Sequence, residues 1–379
     1  MKIFKYSMVL VLILPNLMLG QATDFITNDR LALGIEKKRS ASISAGDIDN
    51  DGDIDIVVAN GRHWPELNEV FINNGMGIFT VAKKLGDISA TSYAAELADF
   101  DGDGDLDVAV GNDMAPNVIY KNDGKGNFSL AGNFGHPNSP TRNIKVVDIN
   151  SDGYIDILIT NRGAINEICL NDGKGQFPNT LEFGSADDST IDLEVADMNG
   201  DGEKDLILAN RDGQQNYIYL NDGKLRFEKK IPFGTGIDET RSIGVADIDN
   251  DGYLDIITAN IQESNIVYFG DDELNFSRKV VFDTAANNSY SLDLGDLDGN
   301  GSVDIVIANS GEPNRVYLNF DRGVIWKELI LMDEKFNTYD IILSDLNNDQ
   351  RLDIIECNSD EVNYYYFNRM PNSFHKKTK

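Results

Sequence analysis

Residues 47–55 read Asp47-Ile48-Asp49-Asn50-Asp51-Gly52-Asp53-Ile54-Asp55, and the chain writes this stretch seven times. The copies begin at Asp47, Asp99, Asp148, Asp197, Asp247, Asp296 and Asp345, at spacings of 49 to 52 residues. Each follows D-x-[D/N]-x-[D/N]-G-x-x-D, except that the last carries Gln350 in place of the glycine. A fixed period of this size marks a repeat architecture, in which each unit is one supersecondary element that stacks on its neighbours.

The third unit shows what that element is. Asn143 to Val147 form a short, mostly apolar run that leads into the loop Asp148 to Asp156. Ile157-Leu158-Ile159-Thr160 follows, then Asn166 to Leu170, the turn Asn171-Asp172-Gly173-Lys174-Gly175, and a fourth run from Phe177 to Phe183-Gly184. Four β-rich runs separated by Asp, Asn and Gly predict an antiparallel sheet. No segment carries a helical period. Seven such sheets predict an all-β chain, a seven-bladed β-propeller of four-stranded antiparallel blades, whose closed ring leaves no long sheet edge exposed. Phe25 and Leu33-Gly34 carry the fourth-strand pattern with no first three strands before them. Residues 25 to 34 are therefore expected to close the ring as the outer strand of the last blade, with Phe374 as the rival for that slot.

Two asparagines recur in every unit, at Asn60, Asn112, Asn161, Asn210, Asn260, Asn309 and Asn358 and at 68, 117, 166, 216, 265, 314 and 363. Asn suits turns and side-chain-to-backbone bonding, so this lattice is expected to be structural. Cys169 fills a slot that is aromatic in every other unit (Phe71, Tyr120, Tyr219, Tyr268, Tyr317, Tyr366). It and Cys357, the only other cysteine, are expected to be buried free thiols.

The start of the chain reads as a signal peptide over residues 1–20. Lys2 and Lys5 precede an apolar run from Met8 to Leu14, Pro15 breaks it, and Gly20 and Ala22 offer cleavage points. The run is too short to span a bilayer and none like it follows, so the mature chain has no expected transmembrane segment. Residues 21–379 are expected to form one exported domain, secreted or periplasmic. A net charge of −30 argues against nucleic acid as a partner.

Oxygen donors at loop positions 1, 3 and 5, a backbone carbonyl at 7 and a closing carboxylate suit Ca²⁺, which accepts about 6–8 oxygens. The candidate ligands are Asp47, Asp49, Asp51, Asp53 and Asp55 in loop one and Asp99, Asp101, Asp103, Asp105 and Asp107 in loop two. Loop three offers Asp148, Asn150, Asp152, Tyr154 and Asp156, and loop four Asp197, Asn199, Asp201, Glu203 and Asp205. Loop five offers Asp247, Asp249, Asp251, Tyr253 and Asp255, loop six Asp296, Asp298, Asn300, Ser302 and Asp304, and loop seven Asp345, Asn347, Asp349 and Asp353. An EF-hand would close with Glu at position 12, where Val58 and Val110 stand, and these loops join strands. Bare carboxylates about 4 Å apart repel by about 4 kcal/mol per pair at an effective dielectric near 20, a sign that a bound cation reverses. Five to seven Ca²⁺ sites are expected, weaker in loop six with Asn300 and weakest in loop seven with Gln350.

At these residues the chain resembles the FG-GAP and VCBS repeat families, which include the calcium-binding propeller of integrin α chains. The carriers are the seven Asp loops, the pairs Phe134-Gly135, Phe183-Gly184 and Phe233-Gly234, and turns such as Asn122-Asp123-Gly124-Lys125-Gly126. The integrin-type Gly-Ala-Pro element is absent, which moves the likeness toward the secreted VCBS-like branch. The resemblance implies Ca²⁺ at one end of the blades and ligands at the other, on the loops between strands two and three and between blades. Its members include adhesion proteins, lectin-like propellers and some enzyme domains.

Mapped onto that opposite end, Tyr93, Arg142, Arg241, Tyr290 and Tyr339 each fall six positions before an Asp loop. Arg62, His63, Trp64, Arg162 and Arg211 lie in the loops that follow strand two. Arg and Tyr gathered on one face of an acidic chain suit a carboxylated or sulfated glycan, or an extracellular protein, with guanidinium groups as bidentate donors. The competing expectation is that these arginines pair with loop carboxylates such as Asp188, Asp192, Asp238 and Glu239. The chain has no G-x-S-x-G elbow and no Cys-His motif. An enzyme would be a polysaccharide lyase, with Arg142 or Arg241 neutralising a uronate while His63, His136 or a tyrosine abstracts the neighbouring proton. A purely structural scaffold is the third possibility.

Overall fold

The computed structural model describes residues 23–369. The signal-peptide reading of residues 1–20 and the rival strand at Phe374 lie outside the described residues.

The third repeat folds as its pattern predicts, through strands Thr141–Val147, Asp156–Asn161, Asn166–Leu170 and Asn179–Phe183, each antiparallel to the next. Four other repeats form four-stranded sheets of the same order, beginning at Ser92–Ala98, Thr190–Ala196, Thr240–Ala246 and Ser289–Gly295. The remaining strands join in one seven-stranded sheet, because two strands there serve twice. Asp353–Arg369 pairs through its first half with Thr338–Ser344, and through its second half with the start of Ala32–Gly46. The rest of Ala32–Gly46 is the first strand of repeat one, paired with Asp55–Asn60. Asp24–Ile26 pairs with Phe367 to Arg369 on the same edge. The N-terminal residues thus complete the C-terminal sheet, as Phe25 and Leu33 foretell.

Every second strand is a run of six buried residues, such as Asp55–Asn60 and Asp205–Asn210. A strand flanked by a sheet on each face has no polar side to show, which is why these runs are apolar without alternation. Seven apolar clusters fill the spaces between neighbouring repeats. The one between the first and last repeats packs Leu31, Leu33, Ile56 and Phe71 against Leu346, Cys357, Tyr365 and Phe367. Cys169 and Cys357 are both buried and unpaired with each other, and burial raises both thiols, Cys169 to about 12. Neither is a reactive thiol.

A belt of buried hydrogen bonds runs round the molecule at the end away from the Asp loops. In repeat one, Ser40 Oγ donates to Asn60 Oδ1 at 2.8 Å, and Asn60 N donates to Asn68 Oδ1 at 2.8 Å. Asn68 Nδ2 then donates to Ser92 Oγ at 3.0 Å, the first residue of the next repeat. The same relay passes through Asn117 to Thr141, Asn166 to Thr190, Asn216 to Thr240, Asn265 to Ser289 and Asn314 to Thr338. It returns to its origin where Asn363 Nδ2 donates to Ser40 Oγ at 3.1 Å. The Asn lattice is therefore structural. Its third member, a Ser or Thr seven positions before each loop, carries a sequence signal that the two asparagines overshadow.

Candidate functional site

Two ends of the molecule carry chemistry. At one end lie the seven Asp loops. Position 1 turns inward, so Asp47 accepts the backbone N–H of Asp51 at 3.1 Å and of Gly52 at 3.0 Å. The closing Asp55 is fully buried and accepts Ile48 N at 3.1 Å and Asn73 N at 2.8 Å. Burial raises the closing carboxyls, to about 6 for Asp55, Asp107, Asp156, Asp205 and Asp255 and to about 7 for Asp304 and Asp353. The loop needs positive φ at two places, position 4 (Asn50, 61°) and position 6 (Gly52, 91°). Position 4 is Asn, Gly or Ser in all seven copies, a signal sequence reasoning passed over. Gln350 sits at position 6 with φ 67°, in the conformation its siblings reserve for glycine.

The loops also tie neighbouring repeats together. The asparagine that opens the turn after strand three reaches the position-2 carbonyl of the preceding repeat's loop. Asn122 Nδ2 donates to Ile48 O at 2.7 Å, Asn171 to Phe100 O at 2.8 Å, and Asn73 to Leu346 O at 2.8 Å. Repeat four's Asn221 bonds Lys204 O and not the preceding loop, and repeat five has Gly270 there, so neither makes the tie.

These residues fit a hard cation. In loops one, two, five and six, three carboxylate oxygens lie within 4.8 Å of one another: Asp47, Asp49 and Asp55; Asp99, Asp101 and Asp107; Asp247, Asp249 and Asp251; and Asp296, Asp298 and Asp304. At position 3, one oxygen each of Asp49 and Asp101 is buried without a hydrogen-bond partner. Side-chain cations already lean on position 3 in loops two and five. Lys121 bridges Asp101 and Asp103, and the Arg278 guanidinium meets Asp249. An all-oxygen donor set of this density suits Ca²⁺ over softer metals.

At the other end, the first strands of all seven repeats surround a cavity of about 400 Å³. Tyr93, Arg142, Arg241, Tyr290 and Tyr339 all line it, so five of the expected face residues share one site. They form two aromatic–guanidinium groups. Arg142 lies 4.5 Å from the Tyr93 ring centroid and bridges Asp113 at 2.8 Å. Tyr93 hydroxyl meets His63 Nδ1 at 2.9 Å. Burial, then Arg62 and Arg142, hold the His63 imidazole below its ordinary range, which favours the neutral ring. His63 has φ 66°, a strained value for a residue with a side chain, and its neighbour Trp64 is 66 % exposed. In the second group, Arg62 stacks 3.8 Å over Tyr339, Tyr339 meets Tyr290 edge-on at 4.6 Å, and Arg241 lies 5.5 Å from Tyr290.

Arg162 and Arg211 do not join this site. Arg162 grips Asp212 with two nitrogens at 2.8 and 3.0 Å, and Arg211 leans on Asp212 at 3.5 Å and Glu239 at 3.8 Å. Asp188 and Asp238 instead cap backbone N–H groups at Ser185 and Thr235. Sequence reasoning also missed the cavity floor, where Glu96, Lys145, Glu194 and Asp293 lie three positions before their loops. Lys145 bridges Glu194 at 2.6 Å, and burial pushes Glu96 up to about 8. Their types differ from repeat to repeat, so no period advertised them.

The model of the FG-GAP-like repeat matches residues 47–110, 99–159, 148–208, 197–258, 247–307 and 296–355. The chain belongs to the FG-GAP-like repeat family. Comparison with the curated proteins gives no match. Among solved structures, this FG-GAP-like chain is similar to BBS1N in complex with ARL6DN, soaked with lead, at 13 % identity and TM-score 0.60, covering 94 % of this chain and 99 % of that one. It is also similar to the WD40 domain of Toxoplasma gondii coronin, at 11 % identity and TM-score 0.63, covering 94 % and 89 %. At such identities the likeness speaks to fold alone, and the fold is a β-propeller.

Proposed function

We propose that this FG-GAP-like chain is an exported, calcium-stabilised β-propeller of seven blades that binds a carbohydrate or protein ligand at the cavity mouth. The seven-stranded sheet is read as two blades joined edge to edge, with residues 24–33 as the outer strand of the seventh. The observation that carries the binding reading is the convergence of Tyr93, Arg142, Arg241, Tyr290 and Tyr339 on one polar cavity. Pockets that hold ligands combine an enclosed volume with a few convergent polar groups. The aromatic rings offer faces for sugar stacking, and the arginines offer acceptors' partners in fixed geometry. The Asp loops at the opposite end would hold Ca²⁺ and fix the blade ends, leaving the cavity end free.

Calcium-loaded protein is tested against a panel of neutral and acidic polysaccharides, scoring retention and chain cleavage together. Retention without cleavage, lost in Trp64→Ala and Arg142→Ala proteins that melt normally, is the expected result. Absence of retention by every polysaccharide would overturn the glycan reading and leave a protein ligand.

A lyase is the second reading, favoured by the hydrogen bond between Tyr93 and His63 beside Arg142. A neutral imidazole can take a proton through the tyrosine, and the guanidinium can neutralise a uronate. Unsaturated, ultraviolet-absorbing products from an acidic polysaccharide, abolished by His63→Ala, would establish it.

A further inference from the structure

The arginines of the cavity end differ in what already neutralises them. Arg142, Arg162 and Arg211 each have a carboxylate within 4 Å. Among the described residues, Arg241 has no ion pair and no hydrogen bond, and Arg62 has only the Ser359 hydroxyl at 3.3 Å. These two stand on either side of the Tyr290–Tyr339 pair. Arg241 lines the cavity itself, whereas Arg62 lies at its rim. A guanidinium drawn into a cavity is costly unless its hydrogen-bond partners are restored. Burial lowers the Arg241 pKa for the same reason. Asp192 on the same wall acts on Arg241 through space, but it already accepts from Asn143, Ser242 and Ile243 N and closes no ion pair with the guanidinium. The folded chain therefore holds a cation in reserve where a ligand would meet it.

The remaining lining narrows the ligand. Ser42, Ser44, Asn143, Ser242 and Ser291 put small hydroxyl and amide groups round the walls. The carboxyls that share the lining are already engaged: Asp192 by Ser242, Asp340 by Ser291, Glu194 by Lys145 and Asp293 by backbone N–H groups, while burial raises Glu96 to about 8. Such a wall suits a polyhydroxylated body and offers no apolar pocket for a peptide side chain. The cavity is enclosed by seven strands, and its volume of about 400 Å³ holds a sugar-sized group.

We propose that Arg241, assisted by Arg62 at the rim, anchors the carboxylate of a uronic-acid residue that enters the cavity end-on, as a free acid or as the terminal residue of a saccharide. The inference rests on the binding reading above and names the anchor and ligand class of that site. Its planar fork matches a carboxylate with two parallel hydrogen bonds, while Tyr290 and Tyr339 hold the two guanidinium groups in place. Arg162, bound to Asp212 outside the cavity, plays no part.

The test is calorimetric titration of the full calcium-loaded chain with D-glucuronate, D-glucose and acetyl-alanyl-alanine, paired with melting of each variant without ligand. Native protein is expected to bind glucuronate and to bind neither glucose nor the peptide acid. Arg241→Gln should weaken glucuronate by about 10- to 100-fold, the worth of a charge-assisted hydrogen bond. Arg241→Lys should fall between, and Arg162→Gln should match the native protein. Arg241→Gln should melt no lower than native, since it removes an unpaired charge. Unchanged glucuronate binding in Arg241→Gln, equal binding of the peptide acid, no binding of glucuronate by native protein, or a lowered melt in Arg241→Gln would each overturn the proposal. Polysaccharide retention that survives Arg241→Gln but fails in Trp64→Ala would remove this inference and leave the binding reading standing.

Discussion

Asn166 is the place to test whether the hydrogen-bonded belt holds the ring. Its side chain is fully buried, accepts Asn161 N at 2.8 Å and donates to Thr190 Oγ1 at 3.1 Å across the boundary between repeats. Asn166→Ala removes both bonds and strands the buried Asn161 N–H. An orphaned buried donor costs about 1–3 kcal/mol, and loss of the second bond adds about 1, giving a total of about 2–4 kcal/mol. At about 2.1 cal/mol/K per residue over about 350 residues, that corresponds to a fall in Tm of about 3–5 °C. Urea titration of native and variant proteins measures the difference directly, with the slopes compared to check that the unfolding transition is the same. Asn166→Asp keeps the acceptor for Asn161 and loses only the donor to Thr190, so near pH 4 it should cost less than Ala. Leu181→Ala, on an exposed outer strand, serves as the control within about 0.5 kcal/mol. A loss below about 1 kcal/mol in Asn166→Ala would refute the belt as a source of stability.

Chelation of Ca²⁺ is expected to lower the Tm substantially and Mg²⁺ not to restore it, since Mg²⁺ demands a smaller octahedral shell; an unchanged melt in excess chelator would remove the metal from the account. Gln350→Gly should stabilise the protein by about 0.5–1 kcal/mol, the left-handed strain relieved less the added unfolded-state freedom, and a destabilised variant would show that the Gln350 side chain earns its place. Glu96, raised to about 8 by burial, has a folded pKa above its unfolded value near 4.5, so its ionisation destabilises the fold above pH 8 and the penalty fades as pH falls toward 4.5. Glu96→Gln is therefore expected to gain stability over native protein as pH rises from 4.5 to 8 and to match it at pH 4; parallel stability curves would contradict this.

The sequence made the repeats legible because each unit satisfies the same local demands. Loop positions 1, 3, 5 and 9 need oxygen, position 6 needs positive φ, and second strands need unbroken apolar runs. Ring closure was legible too, since Phe25 and Leu33 carry a fourth-strand pattern with nothing before them. The cavity was half legible. Tyr93, Arg142, Arg241, Tyr290 and Tyr339 share a register position, and a register position maps to a place in the fold. Which arginine was free to act was not legible, because Asp113 and Asp212 lie in loops without a period, and ion pairs form between repeats. His63 and Tyr93 are thirty residues apart and meet only because neighbouring repeats stand side by side.

The pairing of residues 24–33 with residues 363–369 sets a timetable for the chain. Leu31 and Leu33 belong beside Tyr365 and Phe367, which the ribosome makes about 330 residues later. At about 5–20 residues per second, those apolar side chains wait roughly 15 to 70 s for their partners. During that wait the first repeat presents an open edge and half of an apolar interface, the surface a second unfinished copy would also offer. Exchange of this one strand between two molecules would satisfy both. The seam is thus the point at which a slow or stalled synthesis would let two copies link by exchanging a strand.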